Sequence, residues 1–182
     1  MKMDKDQAGL QLAEIESVVA RVKQSRIYRV AGDICMVWGV VHLSRYGYFR
    51  IAPHWAASSW YVVDTVGVVV TLALVQRANA GRGGGLWRAV VAFALFYGFG
   101  WIWSNVLGDF GGRQASAFWP TLFLFGYSLA GLWFGIGFTA LGLSLTGLIV
   151  VGYAYAGDYY PLWLAISTGG GFLLCGLWMR RV

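Results

Sequence analysis

Apolar stretches of about 20 residues constrain this chain more than any other feature, because a helix of that length crosses the hydrocarbon core of a bilayer. A crossing helix satisfies its own backbone hydrogen bonds, which an irregular segment in lipid does not. Apolar windows of this length fall at residues 27–49, 57–76, 87–107, 116–134, 138–156 and 161–179. The sequence therefore predicts an all-α fold, a polytopic membrane helix bundle of about six transmembrane helices.

The composition supports this class and limits what else the chain contains. Of the 182 residues, 58% are hydrophobic and 12% are charged, against roughly 25% charged residues in an ordinary soluble domain. Six spans leave only a short soluble segment and no length for a separate catalytic domain. The predicted organisation is a cytoplasmic helix at residues 1–26 followed by the transmembrane bundle at residues 27–182.

The N-terminal segment has the pattern of an amphipathic helix. Its apolar residues recur at alternating steps of four and three, which places them on one helical face. This apolar stripe consists of Ala8, Leu12, Ile15, Val19 and Val22. One interpretation is a helix that lies on the membrane surface or under the bundle. The other is a docking helix for a partner protein or for a second copy of the chain.

Basic residues mark the predicted topology. One side of the predicted bundle collects Lys2, Lys5, Arg21, Lys23, Arg26, Arg29, Arg77, Arg82, Arg88, Arg180 and Arg181, and the other side has Arg45, Arg50 and Arg113. The positive-inside rule then predicts a multi-pass protein of a bacterial-type inner membrane with both termini cytoplasmic. The net charge of +6 is thereby explained by topology, and a nucleic-acid partner is not predicted.

Ionisable residues within the first predicted span are the best indication of function, since charges in a membrane are costly and usually face the bundle interior. Asp33 lies four residues after Arg29, on the same helical face. We therefore predict a structural salt bridge between Arg29 and Asp33.

A second polar group is predicted in the outer half of the membrane. Counted inward at about 1.5 Å per residue, His42 lies about 9 Å deep and Asp64, on the next span, about 10 Å deep. The predicted pocket consists of His42, Arg45, Asp64 and Asn105, with a rim of Trp38, Tyr97, Trp101 and Trp103. Such a pocket either fixes helix packing, or relays protons or binds a small polar or anionic solute.

Small residues in the second half of the chain predict close helix packing. Gly131 and Gly135 form a GxxxG step, and Ser167 and Gly171 lie four residues apart in the last span. Small side chains let membrane helices approach closely, within this bundle or across a homo-oligomer face. A tight glycine turn between residues 131 and 137 is expected to divide the fourth span from the fifth.

The sequence offers few residues for metal binding, haem binding or catalysis. The histidines are His42 and His54, so no metal site is predicted, and haem is a minor alternative that needs a dimer or an unusual second axial ligand. Asp33 and Asp64 are predicted near opposite leaflets, which argues against an aspartyl protease. An enzyme is the less expected class. The two functional hypotheses are binding or transport of a small solute or protons, and an accessory or regulatory subunit of a larger membrane complex.

Overall fold

The structure, a computed structural model, describes residues 5–51, 56–80 and 85–181. Every element in these ranges is helical. The first three helices are α1 (Lys5–Ile51), α2 (Ala56–Ala78) and α3 (Gly85–Trp101), and α3 continues as a π-helical turn at Ile102–Leu107. They are followed by α4 (Gly112–Phe134), α5 (Ile136–Tyr155), a 3-10 turn (Gly157–Tyr159), α6 (Tyr160–Leu164), a second π-helical turn (Ala165–Gly170) and α7 (Gly171–Arg181). We refer to residues 160–181 together as the C-terminal helix.

Five helical segments are long and apolar enough to cross a membrane. Within the described residues these are Tyr61–Ala78, Trp87–Leu107, Gly112–Phe134, Ile136–Tyr155 and Gly157–Arg181. The predicted all-helical class is therefore confirmed, and the five segments are compatible with the predicted membrane protein, for which six spans were expected. The expected first span, in α1, does not belong to this set, and that stretch carries Arg29, Asp33 and His42.

Helix α1 runs without interruption for 47 residues. The predicted boundary at residue 26 is not a break in the structure, because residues 10–31 contain neither glycine nor proline to interrupt the helix. At about 1.5 Å per residue this helix extends about 70 Å, more than twice the thickness of the hydrocarbon core. Its first half therefore extends beyond the bundle into which its second half packs.

Glycines bring α1 close to the C-terminal helix. A Cβ atom on Gly32 would lie 2.9 Å from the carbonyl oxygen of Gly176, and one on Gly39 would lie 3.0 Å from that of Gly169. No side chain fits between backbones at this separation, so the two helices pack backbone to backbone. The buried side chains of Cys35 and Met179 lie along the same interface.

A single residue joins α4 to α5 in a helical hairpin. Gly135 has φ = +126°, a conformation that side chains other than hydrogen strongly disfavour. Within the hairpin, the Thr139 hydroxyl donates to the Ser128 carbonyl oxygen at 3.1 Å. A Cβ atom on Gly131 would meet Thr139. The structure thus places the expected glycine turn at Gly135 and packs Gly131 inside this hairpin.

The other two packing residues also face this bundle or their own helix. The Ser167 hydroxyl donates to the Trp163 carbonyl oxygen at 2.7 Å, within the C-terminal helix. A Cβ atom on Gly171 would meet the side chain of Leu145 on α5. Both contacts are internal to the chain.

Candidate functional site

A cavity of about 80 Å³ lies among α1, α2, α3, α4 and the C-terminal helix. It is lined by Ile34, Trp38, His42, Asp64, Phe93, Tyr97, Trp119, Pro120, Phe123, Tyr127 and Phe172. Four of the residues expected at the outer pocket, namely Trp38, His42, Asp64 and Tyr97, therefore line one space. The structure brings the imidazole of the first helix and the carboxylate of the second to the same cavity.

Asp64 is held from the neighbouring helix by Tyr97. The Tyr97 hydroxyl on α3 donates a hydrogen bond to a carboxylate oxygen of Asp64 on α2. Tyr97 was expected only at the rim of the pocket, and the structure makes it a direct partner of the carboxylate. A hydrogen bond to a charged acceptor is stronger than one between neutral groups. This contact therefore orients the carboxylate toward the cavity.

The imidazole of His42 is buried between aromatic rings. Only 6% of the residue is exposed. Its ring stacks on Phe172 of the C-terminal helix, with centroids 5.7 Å apart and an interplanar angle of 4°, and the centroid of the Trp38 ring lies 6.3 Å away. The π-helical turn at Ala165–Gly170 is followed by Gly171 and then by Phe172. Such turns are frequent at functional sites, where they re-aim the side chains that follow.

Trp38 is fixed in orientation by α2. Its indole Nε1 donates to the Thr71 hydroxyl at 3.1 Å, and that hydroxyl donates to the Gly67 carbonyl oxygen at 2.8 Å. A buried indole N–H needs such an acceptor. Gly67 leaves room for Val41 of α1, whose Cγ2 would lie 3.1 Å from a Cβ atom there. One wall of the cavity is thus set by direct packing of α1 on α2.

Phe123 of α4 is the centre of the aromatic cluster that lines the cavity. Its ring stacks on Phe96 at 5.6 Å and on Trp38 at 6.2 Å, and it meets Tyr97 edge-on at 5.4 Å. This contribution of α4 was not predicted from the sequence. A signal was present, because Trp119, Phe123 and Tyr127 recur every four residues and so share one helical face.

Three of the expected site residues do not line the cavity. The Asn105 side chain is exposed and donates within its own helix, to the Ser104 hydroxyl at 2.8 Å and the Trp101 carbonyl oxygen at 3.2 Å. Trp101 and Trp103 are 58% and 44% exposed. Helix α3 lies at the edge of the bundle and packs on α2 and α4. Only the helical face that carries Phe93 and Tyr97 therefore points into the bundle.

The charged residues of α1 also differ from expectation. Asp33 forms its salt bridge with Arg180, whose Nε lies 3.0 Å from Oδ1. This corrects the predicted pairing with Arg29, because α1 turns Asp33 toward the C-terminal helix. The expected pocket residue Arg45 has its side chain outside the described part of the structure, as does His54.

The cavity is too small for a porphyrin beside His42, since about 80 Å³ holds only a few atoms. The fold and the cavity together define a class: a multi-pass helical membrane protein with an aromatic-lined cavity among its helices. No protein-family model, curated protein or solved structure matches this chain. The geometry of the cavity is therefore the basis for assigning a function.

Proposed function

We propose that this protein binds a small organic cation in the cavity that contains Asp64. One observation carries the proposal: seven of the eleven residues that line the cavity are Phe, Tyr or Trp, and Asp64 is the carboxylate among them. Aromatic ring faces and a carboxylate both attract positive charge. A positively charged ligand with small apolar substituents matches this lining.

The chemistry of the lining favours a cation over an anion. The faces of aromatic rings carry partial negative charge, and a desolvated cation over such a face gains up to about 2 kcal/mol. Asp64 adds a full negative charge, which the Tyr97 hydroxyl holds in place. An anion would lie beside the carboxylate and among aromatic rings. The sequence left open a polar or anionic solute, and the composition of the lining argues for the opposite charge.

The size of the cavity limits the ligand. An engineered protein cavity of about 150 Å³ binds one benzene molecule, and the space here is about 80 Å³. An ammonium group with small alkyl substituents, or the head of a longer amine, suits this volume. A ligand with several rings would need the aromatic side chains to move apart.

Proton chemistry follows from the same carboxylate. A protonated Asp64 is neutral and no longer attracts a cation, so protons and the ligand compete for this side chain. His42, stacked on Phe172, lines the same cavity. Competition of this kind supports passage of the ligand in exchange for protons.

The membrane arrangement is part of the proposal. Residues 27–49 of α1 pack against α2 and along the C-terminal helix, both of which contain candidate spans. A helix packed along two crossing helices lies at the same depth, so we propose that α1 forms a sixth span. The excess of basic residues on one side supports a bacterial-type inner membrane with cytoplasmic termini.

The test uses the two tryptophans in the cavity, Trp38 and Trp119. Purified protein in lipid nanodiscs is titrated with methylammonium and dimethylammonium while tryptophan fluorescence is followed. We expect a saturable change for at least one of them. The change should be lost in Asp64→Asn and retained in Asp158→Asn, a matched removal of a carboxylate that is exposed in the 3-10 turn.

Two results would count against the proposal. The first is an equal response to acetate, because acetate carries the opposite charge. The second is unchanged ammonium binding in Asp64→Asn with an intact circular dichroism spectrum. Flux of the bound cation into liposomes under a proton gradient then separates transport from binding alone.

A second candidate function rests on a different observation. Ile15, Val19 and Val22 of the apolar stripe are 59%, 60% and 65% exposed. The helix that carries them is continuous with the membrane-packed half of α1, without a break that would let it turn onto the lipid surface. This favours a protein partner, and a role as an accessory subunit. Recovery of the same partners after deletion of residues 1–24, in mild-detergent pull-downs, would contradict it.

A further inference from the structure

A second cavity, of about 310 Å³, lies between α1 and the end of the C-terminal helix. It is lined by Ser25, Arg29, Met179, Arg180 and Arg181. Three of these five side chains are guanidinium groups, which are always charged. The cavity is therefore a concentration of positive charge between two helices.

The local acid offsets only part of this charge. Asp33 pairs with Arg180, whose Nε lies 3.0 Å from Oδ1. Three arginines and one aspartate leave a net charge of about +2 around the cavity. Arg29 and Arg181 are both exposed, so their donors are accessible to a ligand.

The helix dipole does not account for the whole cluster. Arg180 and Arg181 lie in the last turn of α7, where positive charge is stabilised by the carbonyl end of the helix. Arg29, in contrast, lies in the interior of α1, far from either of its ends. The helix dipole therefore does not explain why Arg29 lies beside Arg180 and Arg181.

Helix packing explains why a gap opens at this point. The two helices approach most closely at Gly32 and Gly176, where a Cβ atom on either glycine would come within 3 Å of the carbonyl oxygen of the other. Arg29 and Arg180 lie about one turn beyond this close approach on their respective helices. The larger side chains there, together with Ser25, surround a space that opens outward.

We propose that this cavity binds the phosphate group of an anionic membrane phospholipid. Guanidinium groups donate paired hydrogen bonds to phosphate oxygens, and the Ser25 hydroxyl is a further donor. Free phosphate has the same chemistry. The location of the cavity favours a lipid over free phosphate, because the candidate membrane segment Gly157–Arg181 ends there. Basic pockets between helices at this level of a membrane are suited to anionic headgroups.

Native mass spectrometry of the protein released from nanodiscs tests the proposal. The nanodiscs contain phosphatidylcholine with phosphatidylglycerol, and the lipids retained by the protein are counted. We expect preferential retention of phosphatidylglycerol. The double variant Arg29→Gln/Arg181→Gln leaves the Arg180 to Asp33 salt bridge intact. It should reduce retention about 30-fold, at about fivefold per arginine.

Two control variants make the result specific. Arg77→Gln/Arg88→Gln removes two exposed arginines elsewhere on the chain and should retain the lipid. Arg29→Lys/Arg181→Lys preserves the charge and should also retain most of it, which shows that the positions tolerate substitution. Equal losses in both glutamine variants would overturn the proposal, because general surface charge would then explain the binding.

Two further outcomes would also overturn it. One is equal retention of phosphatidylcholine and phosphatidylglycerol by the unaltered protein. The other is displacement of the bound lipid by glycerol phosphate, which has the same headgroup chemistry without acyl chains. That displacement would assign the cavity to a soluble phosphate compound. Retention of phosphatidylglycerol in the presence of glycerol phosphate supports the lipid.

Discussion

The Tyr97 hydroxyl on α3 donates a hydrogen bond to the Asp64 carboxylate on α2, and this contact ties the most peripheral helix of the bundle to the cavity. Helix α3 packs on α2 and α4, and its Phe96 and Tyr97 contact Phe123 of α4. The pair of Tyr97 and Asp64 joins α3 to α2 and orients the carboxylate that we assign to the ligand.

Tyr97→Phe should lower the free energy of unfolding by about 1 kcal/mol, because it removes a donor from a partly buried carboxylate. It should also weaken ammonium binding without abolishing it, since Asp64 remains. Thermal unfolding in detergent and the fluorescence titration measure the two effects. Tyr61→Phe is the matched control, because the Tyr61 side chain is 73% exposed. Equal effects of the two variants would contradict the assigned role of Tyr97.

Thr71→Val should destabilise the protein by about 1–3 kcal/mol, because the buried indole N–H of Trp38 would lose its acceptor. The tryptophan emission spectrum should change as well. Thr65→Val is the control, since that hydroxyl bonds to the Tyr61 carbonyl oxygen in its own helix and is exposed. If both variants leave emission unchanged, the contact between Trp38 and Thr71 does not hold the cavity wall.

Gly32→Ala should separate α1 from the C-terminal helix, because the added methyl would lie 2.9 Å from the Gly176 carbonyl oxygen. Overpacking of this kind costs about 1–3 kcal/mol. Gly98→Ala is a matched control in the interior of α3, where an added Cβ atom meets nothing within 4 Å. That control should be neutral or stabilising, since alanine favours helix over glycine. Chemical denaturation in the same detergent compares the free energies of unfolding of the two variants.

Gly135→Ala should destabilise the hairpin of α4 and α5 for two reasons. The backbone has φ = +126°, and a Cβ atom there would contact the Tyr28 hydroxyl. Gly157→Ala separates these effects, because Gly157 has φ = +51° but an added Cβ atom meets nothing within 4 Å. The left-handed conformation alone costs about 1–2 kcal/mol. Thermal unfolding should therefore show a clearly larger loss for Gly135→Ala.

The helices and their approximate ends could be predicted from the sequence, because apolar length reports directly on membrane thickness. The relative level of two residues on neighbouring helices could be predicted by counting along them. Counting residues along two antiparallel helices brought His42 and Asp64 to one level, and in the structure they line one cavity. The division at Gly135 followed from the glycine content of that stretch.

Rotation about the helix axes and the choice of neighbours could not be predicted, since both depend on packing between distant parts of the chain. For this reason the partner of Asp33 is Arg180 and not the nearby Arg29. The aromatic residues of α4 and Phe172 of the C-terminal helix were missed for the same reason. The Asn105 side chain bonds within its own helix and does not line the cavity.

The unbroken course of α1 has a mechanical consequence. Ile15 and Val19 at one end, and Trp38 and His42 at the other, belong to the same rigid rod. Because no break separates the two ends, a rotation of the exposed end is coupled through one helix to the cavity wall. If a partner binds outside the bilayer and a ligand inside it, as we propose, the two events act on the same helix.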